Sequence, residues 1–400
     1  MNFCELSEKE YRLFLDHHPL KSFVGLPEMG IFKKEQGFDV YYVGIKEKET
    51  IKCATILFAG GNFLGKKSFY SPIGFLIDYE DQELLSFFTK ELKKFIKKKN
   101  GYVLTIDPYY PLIERDIDGN IVEGGFNHKS TITTLKKCGY FYTGNTSQNK
   151  YLFILNLENK DEDTLLKNMN SNAKRSIKKS LKPGIIFRDI KEDELELFKT
   201  LTSSSSEKHG FSDRSLEYYQ KIYQLFVPKK LARFVICEIH FKEYIKEMEQ
   251  ELKNLRDKLQ KAKETIIHDI KIQIEQTEKK LQEAKELQKE KGDIFAISCG
   301  VFITYGEEVI YLFGGNLKEY SHFHTAYRVQ WEMIKFAKEH HYKIYNFYGI
   351  LGTKKDGPGY GVYSFKRGFD GNVVELIGEF ELPITNLYHS KKIVKKIIKR

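Results

Sequence analysis

Phe241-Lys242-Glu243-Tyr244-Ile245-Lys246-Glu247-Met248-Glu249-Gln250-Glu251-Leu252 opens a stretch, running to Lys291, that holds neither glycine nor proline. Apolar residues step through it by three and four: Ile245, Met248, Leu252, Leu255, Leu259, Ala262 and Ile266. This is the heptad spacing of a helix with one apolar seam. Past Ile267–Asp269 the seam resumes in Ile270, Ile274, Thr277, Leu281 and Ala284. As one helix the stretch would reach roughly 75 Å. An antiparallel coiled-coil hairpin over residues 241–292 is the better reading. Each seam then buries itself against the other, and the chain returns at Gly292 to the place it left. A homodimerising coiled coil is the competing arrangement.

Outward from this arm, both flanks mix strands and helices. Val40–Ile45 and Ile51–Phe58 read as paired strands. Leu84, Phe87, Phe88, Leu92, Phe95 and Ile96 recur at helical spacing, and Tyr102–Ile106 is a strand ending at Asp107-Pro108. A second unit begins near Tyr151 with a strand, a basic helix over Leu165–Leu181, and a strand at Ile185–Arg188. After the arm it continues through strands at Ile294–Thr304 and Val309–Phe313, a helix over Phe323–His340 and a strand at Ile344–Tyr348. A hairpin of Tyr363–Phe369 against Val373–Ile377 closes it. The fold class is therefore mixed α/β (α+β), with a first domain over 1–150 that includes the tail 385–400. The second domain comprises 151–240 and 293–384, interrupted by the arm at 241–292.

The chain has 400 residues, too many for one ordinary core, and 41% hydrophobic and 14% aromatic content, ample for globular packing. Five scattered cysteines without CxxC spacing argue against a disulfide framework and fit a reducing cytoplasm. The polar, acidic start is not that of a signal peptide, and Ile294–Tyr305 is too short to span a bilayer. A net charge of +10 suits polyanionic partners, though a lysine-rich proteome explains it as well. The basic tail Lys391–Arg400, with Ile393, Val394, Ile397 and Ile398 on one side, has the form of a helix for an anionic membrane surface; a short packed helix is the commoner case.

The most specific residues lie near the C-terminus: Tyr345-Asn346-Phe347-Tyr348-Gly349-Ile350, then Phe365-Lys366-Arg367-Gly368-Phe369, then Gly378-Glu379-Phe380. In order and spacing, and with the arm where it stands, they resemble the Fem family (FemA/FemB/FemX/MurM-like) of peptidoglycan interpeptide-bridge aminoacyltransferases. The resemblance covers essentially the whole chain. It implies two GNAT-like domains. It also implies transfer of Gly, Ala or Ser from aminoacyl-tRNA to the stem-peptide lysine, or growing bridge, of lipid II or UDP-MurNAc-pentapeptide. No cofactor or metal is implied. The expected location is the cytoplasm, with peripheral contact at the inner face of the membrane. Which amino acid is transferred, and the oligomeric state, are not legible.

Attack of an amine on an ester passes through a tetrahedral oxyanion, which needs donors aimed at it. The family motif puts Lys366 in that role, beside Phe365. A charged lysine is a donor rather than a base unless burial lowers its pKa. Arg214 and Tyr218 match the family's Arg-x-x-x-Tyr element, one helical turn apart, and Lys33 matches a phosphate-contacting lysine. Met29 stands where many members have Trp. Asp107 matches a precursor-contacting position, Glu379 an acidic residue near the peptide stem, and Tyr327 is a further candidate. The basic run Lys174, Arg175, Lys178, Lys179 and Lys182 suits RNA phosphates and equally a solvated helix face. Two other classes compete. An acetyl-CoA-dependent GNAT enzyme lacks its usual pyrophosphate-cradling signature here, and a non-catalytic basic coiled-coil RNA-binding protein would need the arm above all.

Overall fold

A computed structural model describes residues 1–144, 146–209 and 213–390, without the side chains of 206–209. The expected tail helix at Lys391–Arg400 lies outside these residues. The strands are β1 (Asn2–Glu5), β2 (Asp39–Glu47), β3 (Thr50–Phe63), β4 (Lys66–Ser71), β5 (Gly101–Ile106), β6 (Pro111–Glu114), β7 (Phe141–Tyr142) and β8 (Tyr151–Asn156). They continue with β9 (Ile185–Asp189), β10 (Ala232–His240), β11 (Ile294–Tyr305), β12 (Glu308–Asn316), β13 (Ile344–Ile350), β14 (Asn372–Leu376) and β15 (Phe380–Pro383). The helices are α1 (Glu8–His17), α2 (Pro27–Glu35), α3 (Gln82–Lys98), α4 (Lys129–Lys137), α5 (Glu162–Asn168) and α6 (Ser171–Ser180). They continue with α7 (Leu195–His209), α8 (Leu216–Phe226), α9 (Phe241–Gln260), α10 (Glu264–Lys291), α11 (Thr325–Glu339) and α12 (Tyr360–Arg367).

Two mixed sheets form, as the α+β expectation requires. The first has order β1-β2-β3-β4-β5-β15-β7 and the second β6-β14-β8-β13-β12-β11-β10-β9. Each contains one parallel pair, β4–β5 and β12–β13, and in each the crossover is a helix, α3 or α11. The sheets trade strands. β6, from the N-terminal half, pairs with β14 in the second sheet, while β15, from the C-terminal end, pairs with β5 in the first. A core cluster joins them, with Ile56 and Phe58 of the first sheet and Phe234, Ile303 and Ile310 of the second in one apolar body.

The arm folds as an antiparallel helix pair. Arg256 of α9 meets Glu278 of α10 at 2.7 Å and Glu249 meets Lys285 at 2.8 Å. At the base the Phe241 amide donates to the Asp293 carbonyl at 2.9 Å. Tyr244, Met248 and Leu252 are buried on α9, and Ile270, Thr277 and Ala284 on α10. The turn falls at 261–263, so Ile266, read in the first seam, stands exposed at the tip end of α10. Among the described residues no helix is long and apolar enough to cross a membrane.

Two sequence expectations are corrected. The basic helix over Leu165–Leu181 is two helices, because Met169 is extended and Asn170 caps α6, its side chain accepting from the Ala173 amide. The segment Tyr363–Phe369 is not a strand: residues 360–367 form α12, begun at Gly359 (φ +77°). Tyr, Val and Phe suggest a strand, but burial of Tyr363 and Lys366, three apart, follows the helical period. β14 consequently pairs with β6 and β8 instead of closing a hairpin.

Candidate active site

β13 carries the Tyr-x-Phe-x-Gly-Ile element. Tyr345 and Phe347 point to one face and are fully buried, the Tyr345 hydroxyl donating to Gln330 Oε1 at 2.8 Å. Asn346 points to the other face, toward Glu308 and Tyr109. Pairing with β8 slips between Asn346 and Gly349, and Tyr348 sits at φ +65°, a conformation rare for an aromatic residue. The Asn346 side chain stabilises it, its Oδ1 accepting from the Tyr348 amide at 2.8 Å. Such a bulge re-aims a strand end. At Gly349 a Cβ would fall 2.1 Å from Asn149 Oδ1, so the close approach needs glycine.

The freed Gly349 carbonyl accepts from Lys366 Nζ at 2.7 Å. Lys366 is 5% exposed, and burial drives its pKa down to about 7. Phe365, beside it, packs edge-on against Tyr327 with ring centroids 5.0 Å apart. Tyr327 stacks on Phe369 at 5.7 Å and accepts from Asn172 Nδ2 of α6 at 3.0 Å.

Asp107 and Glu379 stand at the ends of adjacent strands, β5 and β15, and grip one loop. The Ser147 amide donates to Asp107 Oδ2 at 2.9 Å while the Ser147 hydroxyl donates to Glu379 Oε2 at 2.5 Å. The Gln148 amide (2.8 Å) and Thr146 hydroxyl (3.0 Å) add to Asp107, and Thr143 to Glu379. Burial raises the Asp107 pKa although these hydrogen bonds oppose it. Both carboxyls thus shape a loop whose Gln148 and Asn149 line a cleft with Phe23, Asp107, Tyr109 and Tyr348.

Lys33 and Arg214 make a cationic pair on α2 and at the start of α8. The Arg214 guanidinium lies 5.3 Å from the Tyr218 ring centroid and 5.7 Å from that of Phe313. Lys33 contacts Gln36 Oε1 at 2.8 Å, and its pKa is lowered by burial and then by the charge of Arg214. Asp213, held by Lys199, Thr202 and Tyr219, accepts from the Arg214 amide at 2.8 Å and fixes the turn that presents it. Phe211 and Ser212 of that motif lie outside the described residues.

Of these groups, Tyr218, Asp107 and Asn149 lie close to Tyr348. Its hydroxyl pKa is raised by burial first, then by Tyr218, with Glu308 and Asp107 contributing. One peptide further on, Gly349 holds Lys366. Sequence reasoning did not single out Tyr348, Asn149, Tyr109, Asn346 or Glu308 as site residues. Asn346 and Tyr348 were inside the quoted motif, whereas Glu308, at a strand start, carries no sequence signal.

A second charged surface adjoins. Burial lowers the His324 pKa to about 4, with Lys179, His322, Arg175 and Lys280 adding repulsion. Lys280, on α10, is lowered by burial and by Lys179 and Lys182. Cations of α6 and the arm are therefore crowded together around a His324 kept neutral.

A family model described as the FemAB family matches residues 6–396. An aminoacyltransferase FemA of Staphylococcus epidermidis is 35% identical, over 99% of this chain and 100% of its own length. The FemA of Staphylococcus aureus is 34% identical, over 99% of each chain. A crystal structure of FemX shares the fold, with a TM-score of 0.79 and 22% identity over 98% of this chain and 100% of that one.

Proposed function

This chain belongs to the FemAB family and is an aminoacyltransferase, and from that premise we propose that it transfers an amino acid from aminoacyl-tRNA to an amine of a peptidoglycan precursor. The acceptor is the stem-peptide lysine, or the growing bridge, of lipid II or UDP-MurNAc-pentapeptide, and the donor carries Gly, Ala or Ser.

The observation that carries this reading is Lys366, a buried lysine bound to the carbonyl of Gly349, next in the chain to Tyr348, which lines a cleft with Tyr109, Gln148 and Asn149. The acceptor amine nitrogen first adds to the ester carbon, forming the new C–N bond, and the C–O bond to the tRNA ribose then breaks. The proton lost by the amine leaves with the ribose hydroxyl. Between these events the carbonyl oxygen carries negative charge, and ammonium Lys366 stabilises it where water is excluded. Phe365 and Tyr327 wall that point. Lys33 and Arg214 suit the precursor's phosphates, Tyr218 supporting Arg214 through its ring. Asp107 and Glu379 hold the loop against which the peptide lies.

On the donor side, Asn172, Arg175 and Lys179 follow one face of α6, from Tyr327 toward Lys280 of the arm. Phosphates of the tRNA end track this face and deliver the ester to Phe365 and Lys366.

The test is transfer of radiolabelled glycine, alanine or serine from the charged tRNA to lipid II and to the soluble nucleotide precursor. Label in either acceptor establishes the class and names donor and acceptor. Folded protein that moves none of the three to either acceptor overturns the reading.

A further inference from the structure

Glu308 begins β12 and is 9% exposed. Its partners are neutral: Asn346 Nδ2 donates to Oε2 at 2.9 Å, and the Tyr109 hydroxyl reaches both oxygens at 3.3–3.4 Å. A carboxyl buried without a cation costs stability, and such costs concentrate where function needs them. Burial raises its pKa to about 7, the two donors pulling the other way. Among the described residues, Tyr109 and Tyr348 are the titratable groups that face it.

The shortest bonds run from Glu308 through Asn346 to Tyr348, with the Tyr109 hydroxyl a second, longer acceptor for Asn346 Nδ2 at 3.3 Å. The Asn346 amide cannot flip, because its Oδ1 already accepts from the Tyr348 N–H and its Nδ2 must then face Glu308. That N–H bond holds Tyr348 at positive φ, and the resulting bulge turns the Gly349 carbonyl onto Lys366 Nζ. We propose that Glu308 is a positioning residue for the transfer reaction, which sets the Lys366 amine by fixing Asn346 and, through it, the Tyr348–Gly349 bulge. This rests on the role proposed above for Lys366. The relay needs an acceptor oxygen at residue 308, not a charge, since a neutral acid or an amide still accepts from Asn346.

The test compares Glu308→Gln, Glu308→Leu, Asn346→Ala and the Glu308→Leu/Asn346→Ala pair in the full chain. Glu308→Leu and Asn346→Ala are each expected to lower kcat by about tenfold to a hundredfold with KM for both substrates little changed. Glu308→Gln keeps kcat near the parent value. The pair is no worse than the weaker single variant, because both break one line. Multiplying losses in the pair, or wild-type kcat in Asn346→Ala, would overturn the proposal, and so would Glu308→Gln as impaired as Glu308→Leu. Amide hydrogen exchange at Tyr348 without substrate gives a readout independent of turnover. Protection lost in Glu308→Leu and kept in Glu308→Gln supports the relay, and equal protection in both overturns it. If the parent protein transfers nothing, the functional reading fails while the exchange result still decides the relay. Asn346→Ala, which adds no bulk, serves the same purpose should Glu308→Leu not fold.

Discussion

Lys366 has exchanged water for one carbonyl, and that sets how its charge responds to pH. Burial depresses the pKa to about 7, so the ammonium form predominates below that value and is lost as pH rises through it. If the ammonium form carries the reaction, kcat/KM falls above about pH 7, while deprotonation of the acceptor amine pushes the other way. Lys366→Met is expected to retain precursor binding by calorimetry, to lose about a hundredfold or more in turnover, and to show no descending limb near that pH. Retained turnover would remove Lys366 from the chemistry. Arg214 acts on a different quantity. Arg214→Ala is expected to raise KM for the phosphate-bearing acceptor roughly tenfold with little change in kcat. A fall in kcat alone would place Arg214 at the reacting carbon instead. At this scale the motif residues were legible and their burial was not. Nothing in Phe365-Lys366-Arg367 says that the lysine, of the three, turns inward, because that depends on α12 being a helix packed on β8 and β13.

Among the elements, the arm was the easiest to read, since its heptads satisfy themselves locally. α12 was misread, since aromatic and β-branched residues favour strands, and the helical period over eight residues is too short to outweigh them. The β13 bulge left no local trace beyond Gly349. α6 carries its own expectation. Replacing Arg175 and Lys179 with alanine removes two cations that face the crowded surface. The slope of log affinity for tRNA against log salt is expected to flatten by about one to two units, with acceptor KM unchanged. An unchanged slope would make this helix a solvated face and move the donor elsewhere.

For the whole molecule, one core cluster bridges two sheets that each keep a core of their own, and each sheet borrows a strand from the other half of the sequence. Strand exchange of this kind is invisible to periodicity, because partner choice is a long-range matter that neither residue pattern encodes. A chain ending before Phe380 loses the strand between β5 and β7 and uncovers an edge rich in apolar side chains. Such a truncation is expected to be insoluble, or to lose the sharp thermal transition of the full chain in calorimetry. A soluble, cooperatively melting product would show the first sheet to be self-sufficient.

The same exchange governs the order of events at the ribosome. β1 to β5 emerge early, yet the place beside β5 is filled by β15, which begins at Phe380, 274 residues after β5 ends at Ile106. Most of the nascent chain, the arm included, must leave the exit tunnel before the first sheet can close. Through that interval β5 presents a waiting edge that needs shelter, from the chain's own helices or from a chaperone. A stop codon anywhere before the codon for Phe380 would therefore leave that edge open for good.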